Sequence, residues 1–224
     1  MTTNQYNPIA FDGIDKPANI HTFLDPALIT KQHLGGAANY RHSVRSAVRL
    51  LWYGYTDLFG FVDNMYSVIK LGFTRAWHDG MAECGLKPYD MTQEEIEKLN
   101  YEMNTEATFV LGFGIDIMNN SKLLGGKLTP LLSRAEMWAN KYEYIRSIAM
   151  QMACKDEKLL WRINPAKEHC GSCVRLNGRV YRASIWRKYD IYPRMHRLEC
   201  GGWRCGCSLE KTMLPVTPGR PPMI

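Results

Sequence analysis

Cysteines crowd into one short part of this 224-residue chain, and five of the seven fall within 38 residues near its C-terminus. The stretches EHCGSCVRLNG and LECGGWRCGCSLE hold them, as Cys170, Cys173, Cys200, Cys205 and Cys207. A Cys-x-x-Cys pair forms a tight turn that directs two thiolates at one ion, and zinc prefers four such ligands in a tetrahedron. The spacing therefore predicts a C-terminal module with zinc as its structural cofactor.

Five thiols compete for four positions around a zinc ion. The Cys-x-x-Cys pair supplies the safest two ligands, and Cys205 is the third candidate. Cys200 and Cys207 contest the last position. His169 and His196 are spare candidates, although a lone histidine near such a site is more often a surface residue. Glycines between the later cysteines let the backbone wrap closely around an ion.

Other interpretations of the cysteines fit the sequence less well. Disulfides need an oxidising compartment, but the N-terminus shows no signal-peptide pattern and no apolar run approaches the ~20 residues of a membrane span. A redox Cys-x-x-Cys pair usually lies in a βαβ context, which is absent. None of the six histidines begins the His-x-Glu motif of zinc deaminases. We therefore expect a closed structural site in a protein made in a reducing cytoplasm.

Enzymatic activity is not expected from this sequence. It has no glycine-rich phosphate loop, no serine nucleophile elbow and no paired-carboxylate signature. A catalytic zinc would also need an open coordination position and a general base, whereas four or five thiolates favour a closed site.

Charge is divided unevenly along the chain, whose formal net charge is +6. From Lys158 to the end, 13 basic residues face 4 acidic ones, whereas residues 1–157 carry a net charge of −3. A basic module suggests a polyanionic neighbour, such as nucleic acid or an acidic protein surface. A solvated basic surface with no such partner is the simpler alternative.

The rest of the chain divides into an arm, a helical body and a tail. Prolines mark residues 1–34 as an extended N-terminal arm. Residues 35–155 repeat apolar side chains at three- and four-residue steps, which predicts a helical body of about four helices. Residues 156–212 form the basic Cys-rich zinc module, and residues 213–224 form a Pro-rich tail. The predicted fold class is mainly α, with a small C-terminal α+β module.

The predicted helices have recognisable boundaries, and the third has the clearest start, a Thr92/Glu95 capping box. Cys84 and Cys154 lie at predicted helix ends without a close ligand partner and are expected to be core residues. The first predicted helix begins near Ala37, and the second runs from about Val62 to Cys84. The third runs from Thr92 to about Met118. The fourth runs to Cys154 from Pro130 or from Ser133, where SRAE offers another capping box.

The order of the C-terminal features resembles that of the phage Mu F-like minor head proteins, also called phage head morphogenesis proteins. That family shows a helix with an Arg-x-x-Glu-like element, a Trp before a Cys-x-x-Cys pair, a Leu-x-Gly and a closing Cys-Arg-Cys. Arg134 and Glu136 match the first element loosely, one residue closer than usual. The other matching positions are Trp161, Cys170 with Cys173, Leu176 with Gly178, and Cys205 with Cys207, where Gly206 replaces the family's arginine. The family's His-Pro before the closing pair is missing, and Cys200 is a candidate to replace that histidine as a ligand.

The resemblance implies a virion component present in few copies, at the portal vertex or in the capsid interior. Such a protein acts in head morphogenesis or in handling packaged DNA, and it is made in the cytoplasm of the host bacterium. Its partners would be the portal or major capsid protein, with packaged DNA against the basic module and no membrane. The alternative is a zinc-dependent nucleic-acid-binding protein outside any virion.

Overall fold

The N-terminal part of the described structure consists of helices packed along one another. The computed structural model describes residues 36–154, 156–165, 168–202 and 205–224, so the predicted arm at residues 1–34 lies outside it. The helices of this part are α1 (Gly36–Tyr53), α2 (Leu58–Ala82), α3 (Gln93–Ala107), α4 (Val110–Asn119) and α5 (Leu128–Ala153). None of the described helices is both long and apolar enough to cross a membrane.

The two longest helices, α2 and α5, run in the same direction and form the centre of this body. The Tyr142 hydroxyl donates to the Asp79 carboxylate at 2.5 Å, and one turn further Arg146 pairs with Glu83. Helix α1 packs on both. The side chains between them are apolar at helical spacing and fully buried, as the sequence pattern predicts, for example Trp77 on α2.

The predicted third helix is two helices, which corrects its expected end at Met118. Its start is confirmed, because the Thr92 backbone N–H donates to the Glu95 carboxylate at 2.8 Å and the capping box closes. The helix stops at Ala107, and α4 begins after Phe109. Before the break, the hydroxyls of Thr105 and Thr108 donate to backbone carbonyls at 2.8 and 2.7 Å. Such back-bonding competes with the helical ladder and favours an interruption.

Two further helix starts differ from expectation. Helix α2 begins at Leu58 instead of Val62, because Asp57 caps it by accepting the Gly60 N–H at 2.8 Å. Helix α5 begins at Leu128, so Ser133 lies inside the helix and SRAE forms no capping box. Pro130 falls in the first turn, where a missing N–H costs no helical hydrogen bond.

After Cys154 the chain forms the predicted small α+β module. Its elements are β1 (Lys158–Arg162), α6 (Gly171–Leu176), β2 (Val180–Arg182), α7 (Ala183–Lys188) and β3 (Ser208–Lys211). The strands form an antiparallel sheet in the order β2-β1-β3, with Leu160 opposite Val180 on one side and Trp161 opposite Leu209 on the other. The mainly α architecture with a small C-terminal α+β part is therefore confirmed.

A second hydrophobic core lies under this sheet. Trp161, Trp186 and Leu209 are fully buried in it, and the Trp186 indole donates to the Leu159 carbonyl at 3.0 Å. Met150, from the end of α5, belongs to the same cluster. Helix α5 thus contributes to both cores of the protein.

The Pro-rich tail follows the outer edge of β2. Thr217 donates its backbone N–H to Val180 at 2.8 Å and accepts the Val180 N–H on its hydroxyl at 2.9 Å. The Tyr181 hydroxyl donates to the Arg220 carbonyl at 3.2 Å, and Pro221 is buried. A proline-rich segment can pair only at a sheet edge, because proline lacks the N–H of a ladder. The sequence carries no apolar pattern that predicts these contacts.

Cys84 and Cys154 pack in or against the second hydrophobic core, as predicted, and the structure also joins them by a disulfide. Their Cα atoms lie 5.3 Å apart. Cys84 follows the end of α2 and Cys154 caps the end of α5, so the parallel course of the two helices brings the thiols together. The two residues are 70 positions apart in sequence, and no local pattern could have paired them.

Gly80 lies where α2 and α5 approach most closely. A Cβ there would stand 2.5 Å from the Arg146 carbonyl oxygen and 2.8 Å from the Ala149 Cβ. Since packed backbone would have to move, we expect Gly80→Ala to lower the free energy of unfolding by about 1–3 kcal/mol in chemical denaturation.

The matched control is Gly112→Ala on α4. Gly112 is exposed, and a Cβ there meets no atom within 4 Å. Alanine should stabilise this helix position by up to ~1 kcal/mol. If the Gly80 variant were as stable as the Gly112 variant, the close approach of α2 and α5 would be wrong.

Candidate metal centre

Two segments of the module carry the five clustered cysteines, and all five are free thiols. Cys170 is the N-cap of α6, and Cys173 lies in its first turn. Cys200 lies in a turn, and Cys205 and Cys207 lead into β3. Cys173, Cys205 and Cys207 are buried, whereas Cys170 and Cys200 are half-buried. The fold therefore joins both predicted halves of the site, with three thiols inside and two nearer the surface.

The five sulfurs form two groups of three that share Cys173. The outer triad is Cys170, Cys173 and Cys200, and the inner triad is Cys173, Cys205 and Cys207. Within each triad the sulfur atoms all lie within 4.8 Å of one another. The structure thus brings together every predicted ligand, although no four of them form one such group among the described residues.

The spacing of the sulfurs suits ligands of a common ion. A zinc–sulfur bond of about 2.3 Å places two tetrahedral sulfur ligands about 3.8 Å apart. The Cys173 and Cys205 sulfurs are 3.7 Å apart. Such a spacing needs little rearrangement to accept a metal, so the donor set and its geometry could hold a thiophilic ion. The identity of that ion stays a prediction.

Without a cation, the crowded thiols perturb one another. Hydrogen bonds from Cys173 and Cys207 lower the pKa of the Cys205 thiol to about 2. The hydrogen bond to Cys205, followed by that to Cys207, raises the pKa of Cys173. Burial raises the pKa of Cys200 to about 11. One thiolate is therefore shared among neighbouring protonated thiols, and a metal ion would displace those protons.

Arg194 supplies positive charge beside the inner triad. Its Nη1 donates to the carbonyl and side-chain oxygens of Asn140 at 3.1 and 2.7 Å. Its Nε is buried and has no hydrogen-bond partner among the described residues. Burial lowers the pKa of Arg194, whereas the charges of Glu143 and then Cys205 raise it. Because a guanidinium stays charged in proteins, this side chain favours negative charge on the sulfurs.

A second buried donor faces the cysteines from β1. The indole nitrogen of Trp161 is buried without a hydrogen-bond partner among the described residues, and Trp161 packs in the same buried cluster as Cys207. A metal-bound thiolate is a stronger acceptor than a neutral thiol. The orphaned donors at Trp161 and Arg194 therefore fit an anionic metal–thiolate cluster.

The Cys-x-x-Cys turn is tied to the segment around Cys200 by groups that sequence analysis missed. The Ser172 hydroxyl accepts the backbone N–H of Glu199 at 3.2 Å, and Arg175 pairs with the Glu199 carboxylate at 3.0 Å. A Cβ on Gly202, where φ is +77°, would lie 2.1 Å from the Arg194 carbonyl. In the sequence, the only indication of these contacts is Ser172, the small polar residue between Cys170 and Cys173.

The spare histidines do not join either triad. Nε2 of His169 lies 2.7 Å from the Asn164 carbonyl, and His196 is exposed. Neither belongs to a group of three potential ligands among the described residues. The histidines thus stay outside the cluster, as their sequence context suggests.

The Arg134 and Glu136 element lies in the helical body. The Glu136 carboxylate pairs with Arg41 at 3.0 Å and with Arg45 at 2.6 Å, which fastens α1 to α5. Arg134 pairs with Asp116 on α4. These contacts give the element a packing role within the described structure.

A surface groove of about 400 Å³ lies between α3, α5 and α7. Its lining includes Glu94, Lys98 and Arg187. Arg187 pairs with Glu94, and Lys98 pairs with Glu102 at 2.8 Å. Both of these cations are therefore already paired with carboxylates.

Comparison with protein-family models, with curated proteins and with solved structures found no match to this chain. The likeness to phage head proteins thus rests on the residue pattern of the C-terminal half alone.

Proposed function

We propose that this chain is a minor structural protein of a phage head without enzymatic activity, and that zinc holds its C-terminal module. It would lie at the portal vertex or in the capsid interior and act in head assembly or in handling packaged DNA. Portal or major capsid protein would be its partner. The observation that carries the proposal is that five residues of the family pattern share one buried cluster, namely Trp161, Cys173, Leu176, Cys205 and Cys207.

That cluster gives most parts of the pattern a physical role. Trp161 and Leu176 are fully buried beside Cys173, Cys205 and Cys207. Gly178, the end of the Leu-x-Gly element, has a φ of +78°, a conformation that favours glycine. The pattern therefore combines a glycine turn, two buried apolar side chains and the thiols against which those side chains pack.

Zinc would supply stability that the module's own core cannot. A loop-rich unit of roughly 60 residues rarely gains more than ~3–5 kcal/mol from apolar burial. Three-residue and four-residue strands add few backbone hydrogen bonds. Several buried thiols around one point are a common way to close such a unit, because metal binding then contributes to folding.

The nucleic-acid-binding alternative depends on the basic character of the module. Five of its basic side chains are ion-paired, namely Arg162, Arg175, Arg187, Arg197 and Lys211. These pairs reduce the charge available to a polyanion. We therefore propose at most a weak, sequence-independent contact with close-packed DNA.

Mass spectrometry of purified particles tests the proposal. We expect this chain at low copy in DNA-filled heads from the bacterium that carries its coding sequence, with the major capsid protein as positive control. The amount of a host cytoplasmic enzyme in the same sample measures contamination of the particles by host proteins. Comparison with heads emptied of DNA shows whether the chain leaves with the genome. Abundance in the lysate together with absence from particles would contradict a virion role.

A further inference from the structure

The cysteine cluster contains one thiol more than a single zinc ion can use. All five thiols take part in the two sulfur triads, and only Cys173 belongs to both. If one ion took four thiolates, all four sulfurs would have to lie about 3.8 Å from each other. No set of four described cysteines meets even the 4.8 Å limit. The arrangement is that of two adjoining centres.

We infer that the module binds two thiophilic metal ions, with the Cys173 thiolate bridging them. Cys170, Cys173 and Cys200 would hold one ion, and Cys173, Cys205 and Cys207 would hold the other. Each ion would then have three thiolate ligands, with a water molecule in the fourth position. This inference rests on the proposed zinc-bound module and specifies how its ligands are divided. Soft d¹⁰ ions such as Zn²⁺ suit thiolate ligands, and a thiolate sulfur has lone pairs for two ions.

Charge balance supports two ions over one. Five thiolates and two divalent ions leave one net negative charge, and the buried guanidinium of Arg194 beside Cys205 and Cys207 offsets it. One divalent ion with four thiolates would leave two negative charges and an idle thiol. Buried charge is costly unless it is compensated, so the cluster with two ions matches its surroundings better.

The chain supports each centre separately. Glu199, next to Cys200, is bound to Ser172 and Arg175, which holds the outer triad together. The inner triad lies deeper, in the buried cluster that also contains Trp161. Removing a thiol from one triad therefore leaves the other with its own support.

Native mass spectrometry of the full chain, reconstituted with Zn²⁺ and freed of loose metal, tests the inference. We expect two ions in the unaltered protein, one in Cys200→Ser, one in Cys207→Ser and none in Cys173→Ser. Ser184→Ala, at an exposed position of α7 outside both triads, is the control and should keep two. Cys200→Ser and Cys207→Ser each keep one complete triad and should each retain one ion. They therefore test the inference even if Cys173→Ser does not fold.

Each other outcome has a distinct meaning. One ion in the unaltered protein, with either Cys200→Ser or Cys207→Ser retaining it, would overturn the shared centre and leave a single structural zinc in place. No ion in the unaltered protein would overturn the zinc-bound module itself. Cadmium substitution gives a second readout, since two bridged ions should produce two mutually coupled NMR signals, and a lone ion produces one.

Discussion

Replacing Cys173 by serine is expected to unfold the C-terminal module and to leave most of the helical signal in place. Cys173 is buried and is the one thiol common to both sulfur triads. Structural zinc contributes about 10 kcal/mol or more of apparent free energy in small zinc domains. This is larger than the ~3–5 kcal/mol that the module's own core supplies. The loss of metal should therefore decide the state of the module.

Hydrogen exchange measures this effect region by region. Amides of β1, β2 and β3 should lose their protection in Cys173→Ser, while those of α1 and the middle of α2 keep it. Ser184→Ala is the control, because it removes an exposed hydroxyl on α7, outside both sulfur triads, and should leave the metal and the strand protection unchanged. Removal of metal by a chelator should reproduce the Cys173 result. Unchanged protection of the strands would contradict a metal-dependent module.

Reduction of the Cys84–Cys154 disulfide is expected to produce the second large effect. The bond spans a sequence separation of 70 residues, and closing a loop of that length stabilises a folded chain by about 4 kcal/mol in the chain-entropy model. We expect the unfolding midpoint in denaturant to fall when a reductant is present. A reducing environment keeps the two thiols free, so the extra stability is expected only where the bond is oxidised.

The double variant Cys84→Ser/Cys154→Ser separates this effect from the response of the clustered thiols. Its midpoint should match that of the reduced protein, and further reductant should not change it. Peptide mapping without reductant should show the crosslinked pair in the oxidised protein. Equal stability of the oxidised and reduced chains would show that the bond does not constrain the unfolded state as expected.

Local sequence patterns predicted the features whose cause is local. The Thr92/Glu95 capping box depends on residues three positions apart, and the structure forms it. Apolar spacing placed Val44 and Val48 on the buried face of α1, where both are fully buried. The Cys-x-x-Cys spacing likewise indicated a turn that presents two thiols together.

Features set by distant contacts were not predictable in the same way. The Cys84–Cys154 bond depends on the parallel course of α2 and α5, and the pairing of Thr217 with Val180 depends on an edge that exists only in the folded sheet. The role of Arg194 depends on Asn140, 54 residues earlier. Each requires the tertiary arrangement before its partner can be named.

The participation of α5 in both cores makes the helical body and the module energetically dependent on each other. Gly80 meets the backbone of α5 between Arg146 and Met150, and Met150 lies in the core that surrounds the cysteines. A disturbance where α2 packs on α5 is thus next to a residue of the core that contains the clustered cysteines. Conversely, an unfolded module would expose Met150 and fray the end of the helix that holds the body together. Assembly contacts on either part would therefore influence the stability of the other.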